Sequence, residues 1–170
     1  MIYISNSCYV FIASKGDLRY NENDINKYFY GGFMYKNILC ALDLSEASKK
    51  VLERAVQVAK NNGAKLYLFH NAVKLSDIYS GVMNVDFSKT EEAGFQIAKE
   101  HLERLNDGLY PNTEIIVDSG DFINNLTKVI ESKNIDLVIV GHNQDFWSKV
   151  SSSSKKVVDK IKVDTLVTII

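Results

Sequence analysis

Asp136-Leu-Val-Ile-Val140 is the clearest strand pattern in the chain, because one acidic residue is followed by four apolar residues without interruption. An unbroken apolar run of this kind is typical of a strand that helices cover on both faces, as in the middle of a parallel sheet. A glycine, Gly141, and a polar tract follow it directly. The stretch therefore predicts an α/β protein built on a parallel sheet.

The same alternation extends outward in both directions from this stretch. From Tyr35 onward, short β-branched runs alternate with longer amphipathic segments, which is typical of parallel strands joined by crossover helices. Strands are predicted at residues 36–42, 65–70, 113–117, 136–140 and 165–170. Four helices are predicted between them: one N-capped by Ser45 and ended by Gly63, one opened by Ser88 with Glu91, one running from the Ser119-Gly120-Asp121 turn to Asn134, and one from residue 151 to about 162.

Five strands and four helices in strict alternation predict a single doubly wound sheet of order 3-2-1-4-5, with helices on both faces. In that order the winding reverses between the first and fourth strands. The crevice above their carboxyl ends is then the expected ligand site. Asp43 would line one side of it, and Gly141, His142 and Asn143 the other.

Composition and charge exclude several classes of function. The 170 residues carry 20 Lys and Arg against 21 Asp and Glu, for a formal charge of -1, so no basic surface for nucleic acid stands out. The longest uncharged run, residues 1–14, is shorter than the ~20 apolar residues of a membrane helix. It also lacks the basic leader of a secretory signal, so we expect a cytoplasmic protein that binds neither membrane nor nucleic acid.

Four tracts of the sequence carry a resemblance to a known family. They are Met34-Tyr-Lys-Asn-Ile-Leu-Cys-Ala-Leu-Asp43-Leu-Ser45, Leu75-Ser-Asp-Ile-Tyr-Ser-Gly81, Ser119-Gly-Asp121, and Gly141-His-Asn-Gln-Asp-Phe-Trp-Ser-Lys149. Together they resemble the bacterial universal stress protein family, most closely its A-type branch. The resemblance covers residues 34–170, which are predicted to form the domain, and leaves residues 1–33 outside it.

The resemblance also bears on nucleotide binding. Family members that bind ATP carry Gly-x-x-Gly, nine residues, and then Gly-Ser or Gly-Thr, because bare backbone approaches phosphates closely and helix amides donate to them. Here only Gly141 fits, since Gln144, Ser154 and Lys155 occupy the other positions. The A-type branch is implied to lack ATP binding, so no cofactor is expected.

Asp43, Gly141, His142 and Ser154 are then the residues of a vestigial pocket. Asp43 precedes a predicted helix, where an aspartate is commonly a capping residue. A second interpretation stays open, in which Lys155 and the serines before it bind a free phosphate at a helix N-terminus.

Neither a metal site nor an enzyme active site is expected. His70, His101 and His142 have no Cys, Asp or Glu partner at ligand spacing. Cys8 and Cys40 lie in apolar surroundings, which favours buried, reduced thiols. His142 and Asp43 could meet across the crevice as a catalytic dyad, but a nucleophile on a sharp strand-to-helix turn is missing.

The resemblance and the missing chemistry together predict a non-catalytic stress-response protein that acts through protein contacts or phosphorylation. The alternative is a nucleotide-dependent switch of the same family, which would use the crevice at Asp43 and Gly141. The glycine pattern favours the first hypothesis.

The C-terminal strand predicts a homodimer. Residues 165–170 (Thr-Leu-Val-Thr-Ile-Ile) form an edge strand without charge or proline, and such an edge pairs readily with another chain. The symmetric arrangement is the same strand of a second copy.

Residues 1–33 have two explanations. The simpler one is that translation starts at Met34 and that the upstream part is a non-native or disordered extension, because its pattern gives it little core to bury. The alternative is a genuine N-terminal strand over residues 2–12, added to the sheet or to a partner.

Overall fold

A computed structural model of the chain describes residues 34–73, 88–142 and 161–169. The elements in these ranges are β1 (Asn37–Ala41), α1 (Ser48–Asn62), β2 (Lys65–Ala72), α2 (Ser88–Asn106), β3 (Thr113–Ser119), α3 (Phe122–Lys133), β4 (Leu137–His142) and β5 (Asp164–Ile169). The strands form one sheet in the order β3-β2-β1-β4-β5, and every neighbouring pair is parallel. The predicted order is confirmed, while the helix predicted near 151–162 lies largely in undescribed residues.

The core has two layers because successive side chains of a strand point to opposite faces of the sheet. On β1, Ile38 and Cys40 join a cluster with α1 and Leu102 of α2, whereas Leu39 joins a second cluster with α3. Helices thus cover both faces, as predicted. None of the three described helices is long and apolar enough to cross a membrane.

The beginning of α1 corrects one prediction from the sequence. Ser45 is not the N-cap: the cap position is Ala47, whose side chain makes no capping hydrogen bond. Ser45 instead donates its backbone N–H to Asp43. A cap would use its hydroxyl oxygen to accept from an N–H of the first turn, but the Ser45 hydroxyl oxygen has no such partner, and the helix begins later than predicted.

The predicted end of α1 and both predicted ends of α3 are confirmed. Gly63 ends α1 in the left-handed conformation with φ of 60°, and its N–H bonds to the carbonyl groups of Ala59 and Lys60. At α3, the Asp121 side chain accepts from the N–H of Asn124 at 2.8 Å, and Asn134 ends the helix with φ of 51°. Glycine and asparagine adopt this backbone conformation more readily than other residues.

The amino ends of the central strands are joined by one carboxylate. Asp136, just before β4, accepts from the backbone N–H groups of Lys36 and Asn37 at 2.7 and 3.2 Å. These donors lie at the beginning of β1, so the carboxylate fixes how the two central strands start. Tyr35 adds a second link, because its hydroxyl donates to Asp164 at 3.1 Å.

Gly94 offers a direct test of helix energetics in α2. A Cβ atom added there would meet nothing within 4 Å. Because glycine weakens a helix interior, Gly94→Ala is expected to raise the free energy of unfolding by about 0.5–1 kcal/mol. Urea denaturation measures the change.

Gly63→Ala is the matched control. Its left-handed backbone disfavours any side chain, so this variant should lose about 1 kcal/mol rather than gain it. A lower urea midpoint for Gly94→Ala would contradict the assignment of that residue to an open helical position.

Candidate functional site at the crevice between strands β1 and β4

The sheet brings the predicted crevice residues together at the carboxyl ends of its strands, which is called its carboxyl edge here. Ala41 at the end of β1 is paired with Val140 of β4, and Gly141 and His142 are the last two residues of β4. Asp43 follows β1 by two residues, so it emerges at the same carboxyl edge. Asn143, Gln144, Ser154 and Lys155 lie outside the described residues, as does the side chain of His142.

Asp43 is tied to the beginning of α1. One carboxylate oxygen, Oδ1, accepts from the backbone N–H of Ser45 at 3.0 Å and from the hydroxyl of Ser48 at 2.8 Å. Ser48 is buried, with 2% of its surface exposed. The carboxylate therefore closes the turn between β1 and α1.

The same contacts change the acidity of Asp43. Partial burial opposes ionisation and is the largest single influence, but the hydrogen bonds from Ser45 and Ser48 together outweigh it. The pKa of Asp43 therefore lies below its usual range. An ionised carboxylate at neutral pH suits an acceptor of hydrogen bonds better than a general acid.

Leu44 gives the turn an uncommon backbone. Its φ is 62°, in the left-handed region that costs a residue with a side chain roughly 1–2 kcal/mol. The side chain packs against the core cluster on the α1 side of the sheet. Burial of this leucine and the hydrogen bonds of Asp43 hold the turn in its shape.

His70 supports the crevice from β2. Its Nδ1 lies 2.8 Å from the carbonyl oxygen of Leu42, so the ring must carry its proton on Nδ1 and donate. The N–H of Leu42 in turn donates to the carbonyl of Phe69 at 2.9 Å. No local pattern predicts this contact, because the two residues are far apart in the chain.

A second polar cluster lies at the same carboxyl ends of the strands, between β2 and β3. Asn125 is 6% exposed and donates through Nδ2 to Asn71 Oδ1 at 3.0 Å and to the Ser119 carbonyl at 2.7 Å. Asn71 donates to the carbonyl of Gly120 at 2.8 Å. The cluster holds the turn before α3. The only sign of this cluster in the sequence is one polar residue, Asn125, on the apolar face of a predicted helix.

The described ranges contain no group of three or more His, Cys, Asp or Glu side chains arranged to hold a metal ion. Of the two cysteines, Cys40 is fully buried, and burial raises the pKa of its thiol well above the usual range. Its thiol is therefore protonated and poorly nucleophilic at neutral pH.

A variant of Ser48 tests why the pKa of Asp43 is lowered. Ser48→Ala removes one of the two hydrogen bonds to Oδ1, so the pKa of Asp43 should rise toward the ~3.9 of a free aspartate. Carboxyl NMR titration measures it. Ser132→Ala is the control, since the Ser132 hydroxyl bonds to Val129 and is remote from the crevice; an equal shift in both variants would contradict this account.

The same shift predicts how stability depends on pH. A carboxyl whose pKa is lower in the folded state stabilises the fold above the unfolded value of ~3.9, and loses that contribution as pH falls through the folded value. The difference in unfolding free energy between wild type and Asp43→Asn should therefore be constant from about pH 7 to 5 and shrink below about pH 4. A difference that persists undiminished in acid would show that ionisation is not its cause.

Comparison with known proteins identifies the family that this architecture matches. The profile described as "Universal stress protein family" matches residues 34–168. The "Universal stress protein A homolog" of Haemophilus influenzae is 42% identical over 135 residues, which are 79% of this chain and 96% of that protein.

Solved structures share the fold at low sequence identity. The universal stress protein UspA from Lactobacillus plantarum superposes with a TM-score of 0.62 at 21% identity, over 79% of this chain and 97% of that one. A universal stress protein solved in complex with cAMP superposes with a TM-score of 0.54 at 20% identity, over 78% and 95%.

Proposed function

Because the chain belongs to the universal stress protein family, we propose that it is a cytoplasmic stress-response protein without catalytic activity of its own. It acts as a homodimer, through contacts with other proteins or through phosphorylation. The A-type relative that is 42% identical supports this function more directly than the solved structures do, since their identity to this chain is lower.

The observation that carries the proposal is that the sequence after β4 lacks most of the glycines of the phosphate-binding pattern. Phosphates are bound where glycines let backbone amides approach closely and where a hydroxyl completes the cradle. In this chain Gln144 and Ser154 stand at the second and third glycine positions, and Lys155 stands at the hydroxyl position. The sequence therefore lacks three of the four residues of the phosphate-binding pattern.

The geometry of Asp43 is consistent with this function. Its Oδ1 is already used by two donors from the start of α1, and its lowered pKa follows from them. The residue therefore has a structural task that needs no ligand.

A second candidate function is a nucleotide-dependent switch. Two features favour it: a structural neighbour was solved with cAMP, and Gly141 ends β4 at the same edge as Asp43. In that case the nucleotide would bind in the crevice despite the missing glycines.

Calorimetric titration separates the two functions. We expect wild-type protein to give no binding to Mg-ATP, cAMP or inorganic phosphate below about millimolar concentration, because three of the four residues of the phosphate-binding pattern are missing. Micromolar affinity for ATP or cAMP would overturn the proposal in favour of the switch. Affinity for phosphate alone would favour the interpretation in which Lys155 and the serines before it bind a free phosphate.

A variant in which the phosphate-binding pattern is restored is the matched control. Gln144→Gly, Ser154→Gly and Lys155→Ser together rebuild the glycine and hydroxyl pattern of the ATP-binding relatives. We expect this triple variant to bind ATP more tightly than wild type. Equal, absent binding by both would mean that these three side chains are not what prevents it.

The proposed dimer uses the outer edge of β5. Within the described residues β5 pairs only with β4, and Leu166 and Val167 are half-buried along it. The four residues from Thr165 to Thr168 carry no charge that would prevent pairing with another strand.

A charged residue on this edge should therefore break the dimer. We expect light scattering to show a dimer for wild type at micromolar concentration and a monomer for Val167→Lys, because lysine on an edge strand blocks pairing. Val117→Lys on β3, the opposite edge, is the matched control and should stay dimeric. A wild-type monomer, or equal dissociation of both variants, would contradict the arrangement.

A further inference from the structure

The end of helix α1 carries a pair of residues that can react with each other in water. Asn62 is the last residue of α1 and Gly63 follows it, and this is the only Asn-Gly pair in the sequence. In such a pair the main-chain nitrogen of the glycine can attack the side-chain carbonyl carbon of the asparagine, because glycine has no side chain that shields its nitrogen. Asparagine is for this reason a thermolabile residue.

The reaction is a deamidation, and water is its only co-reactant. The amide nitrogen of Gly63 loses its proton and forms a bond to Cγ of Asn62, and ammonia leaves from Cγ to give a five-membered imide. Water then opens the imide at one of its two carbonyl groups. The product at position 62 is either aspartate or isoaspartate, so a carboxylate replaces the carboxamide.

In the folded chain three hydrogen bonds hold the side chain of Asn62. Its Oδ1 accepts from the N–H of Met34 at 3.0 Å and from the N–H of Tyr35 at 3.2 Å. Its Nδ2 donates to the carbonyl oxygen of Val58 at 2.9 Å. These partners fix the orientation of the carboxamide, since the two N–H groups need an acceptor and the carbonyl oxygen needs a donor. The side chain thus joins the residues before β1 to the end of α1.

The attacking nitrogen is held as well. The N–H of Gly63 donates to the carbonyl groups of Ala59 and Lys60, so its proton is directed back along the helix. The N–H of Ala64 donates to the Ala59 carbonyl at 3.0 Å, which fixes the peptide unit that follows Gly63. For the reaction the nitrogen must leave these acceptors and turn toward Cγ, while the carboxamide must leave its own partners. This end of the helix must therefore open before the two atoms can meet.

We propose that Asn62 is a deamidation site that the fold protects, so that aspartate or isoaspartate forms at position 62 when the end of α1 opens. The protection comes from the hydrogen bonds that hold both reacting atoms. The modification needs no enzyme, and it goes beyond the function proposed above because it depends on neither the crevice nor the dimer.

The product fits the folded structure less well than the carboxamide does. A carboxylate oxygen in place of Nδ2 faces the carbonyl oxygen of Val58, so two acceptors meet where a hydrogen bond was made. The new negative charge also lies in the last turn of α1, where the unpaired carbonyl groups of a helix disfavour it. The contact with Tyr35 is weakened in turn, and the hydroxyl of this residue bonds to Asp164 at the beginning of β5. Deamidation therefore opposes reclosure of the opened end.

Mass spectrometry of the full-length chain tests the protection. Trypsin cleaves after Lys60 and Lys65, so residues 61–65 are released as one peptide, and its fragment spectra separate position 61 from position 62. We expect deamidation at position 62 to be at least about tenfold slower in the folded chain than in guanidinium chloride at the same pH and temperature. Gly63→Ala is the control in guanidinium chloride, where its added methyl group should slow the reaction.

Two outcomes of this experiment would overturn the proposal. Equal rates in the folded and the unfolded chain would show that the hydrogen bonds give no protection. A rate in the unfolded chain that Gly63→Ala leaves unchanged would show that the Asn-Gly pair is not the reacting site.

The effect of the product on stability has its own matched pair of variants. Asn62→Asp imitates the product, and Asn61→Asp places the same charge on an exposed residue at the same helix end. At pH 7 we expect the unfolding equilibrium constant to be at least about tenfold larger for Asn62→Asp than for Asn61→Asp, because only the first variant sets two acceptors against each other.

The difference between these variants should also depend on pH. The carboxyl of Asn62→Asp destabilises the fold only when it is ionised, so the difference should shrink below about pH 4, where the protonated group can again donate to the Val58 carbonyl. Urea denaturation at several pH values measures both quantities. Equal stability of the two variants at pH 7 would refute the predicted damage to the contact.

Discussion

The pairing of β1 with β4 is the constraint on which the rest of the structure depends. Both strands are covered on both faces, so their side chains must be apolar from Ile38 to Leu42 and from Leu137 to Val140, with only Ala41 and Val140 partly exposed. At the carboxyl ends of these strands, polar side chains can therefore lie only beyond Ala41 and Val140, the last pair of residues that joins β1 to β4. This is why Asp43 and Gly141 meet at one edge although nearly one hundred residues separate them.

The polar side chains at the carboxyl ends of the strands form hydrogen bonds within the protein, mostly with main-chain groups. Asp43 binds the first turn of α1, His70 binds the Leu42 carbonyl, and Asn125 binds the turn before α3. Each of these polar side chains has its partner within the protein. These hydrogen bonds stabilise the loops at the carboxyl ends of the strands.

Sequence reasoning recovered those features that depend on local pattern. Strand order and the ends of helices at Gly63 and Asn134 follow from apolar periodicity and from left-handed residues, both of which are visible in short windows. Ser45 was wrongly assigned as a cap, because only the folded turn shows that the helix begins three residues later, at Ser48, and leaves the Ser45 hydroxyl without a partner. The left-handed backbone of Leu44 and the contact between His70 and Leu42 depend on tertiary packing, which no local pattern encodes.

The order of strands has a consequence for how the chain is made. On the ribosome β1, β2 and β3 are complete long before β4 emerges, so β1 can pair with β2 but must wait for its other neighbour. During that interval the buried strand β1 has an unpaired side, a state prone to wrong associations. Asp136, which accepts from the amides of Lys36 and Asn37 at the beginning of β1, is synthesised immediately ahead of β4. It can therefore set the alignment of the incoming strand before the sheet closes.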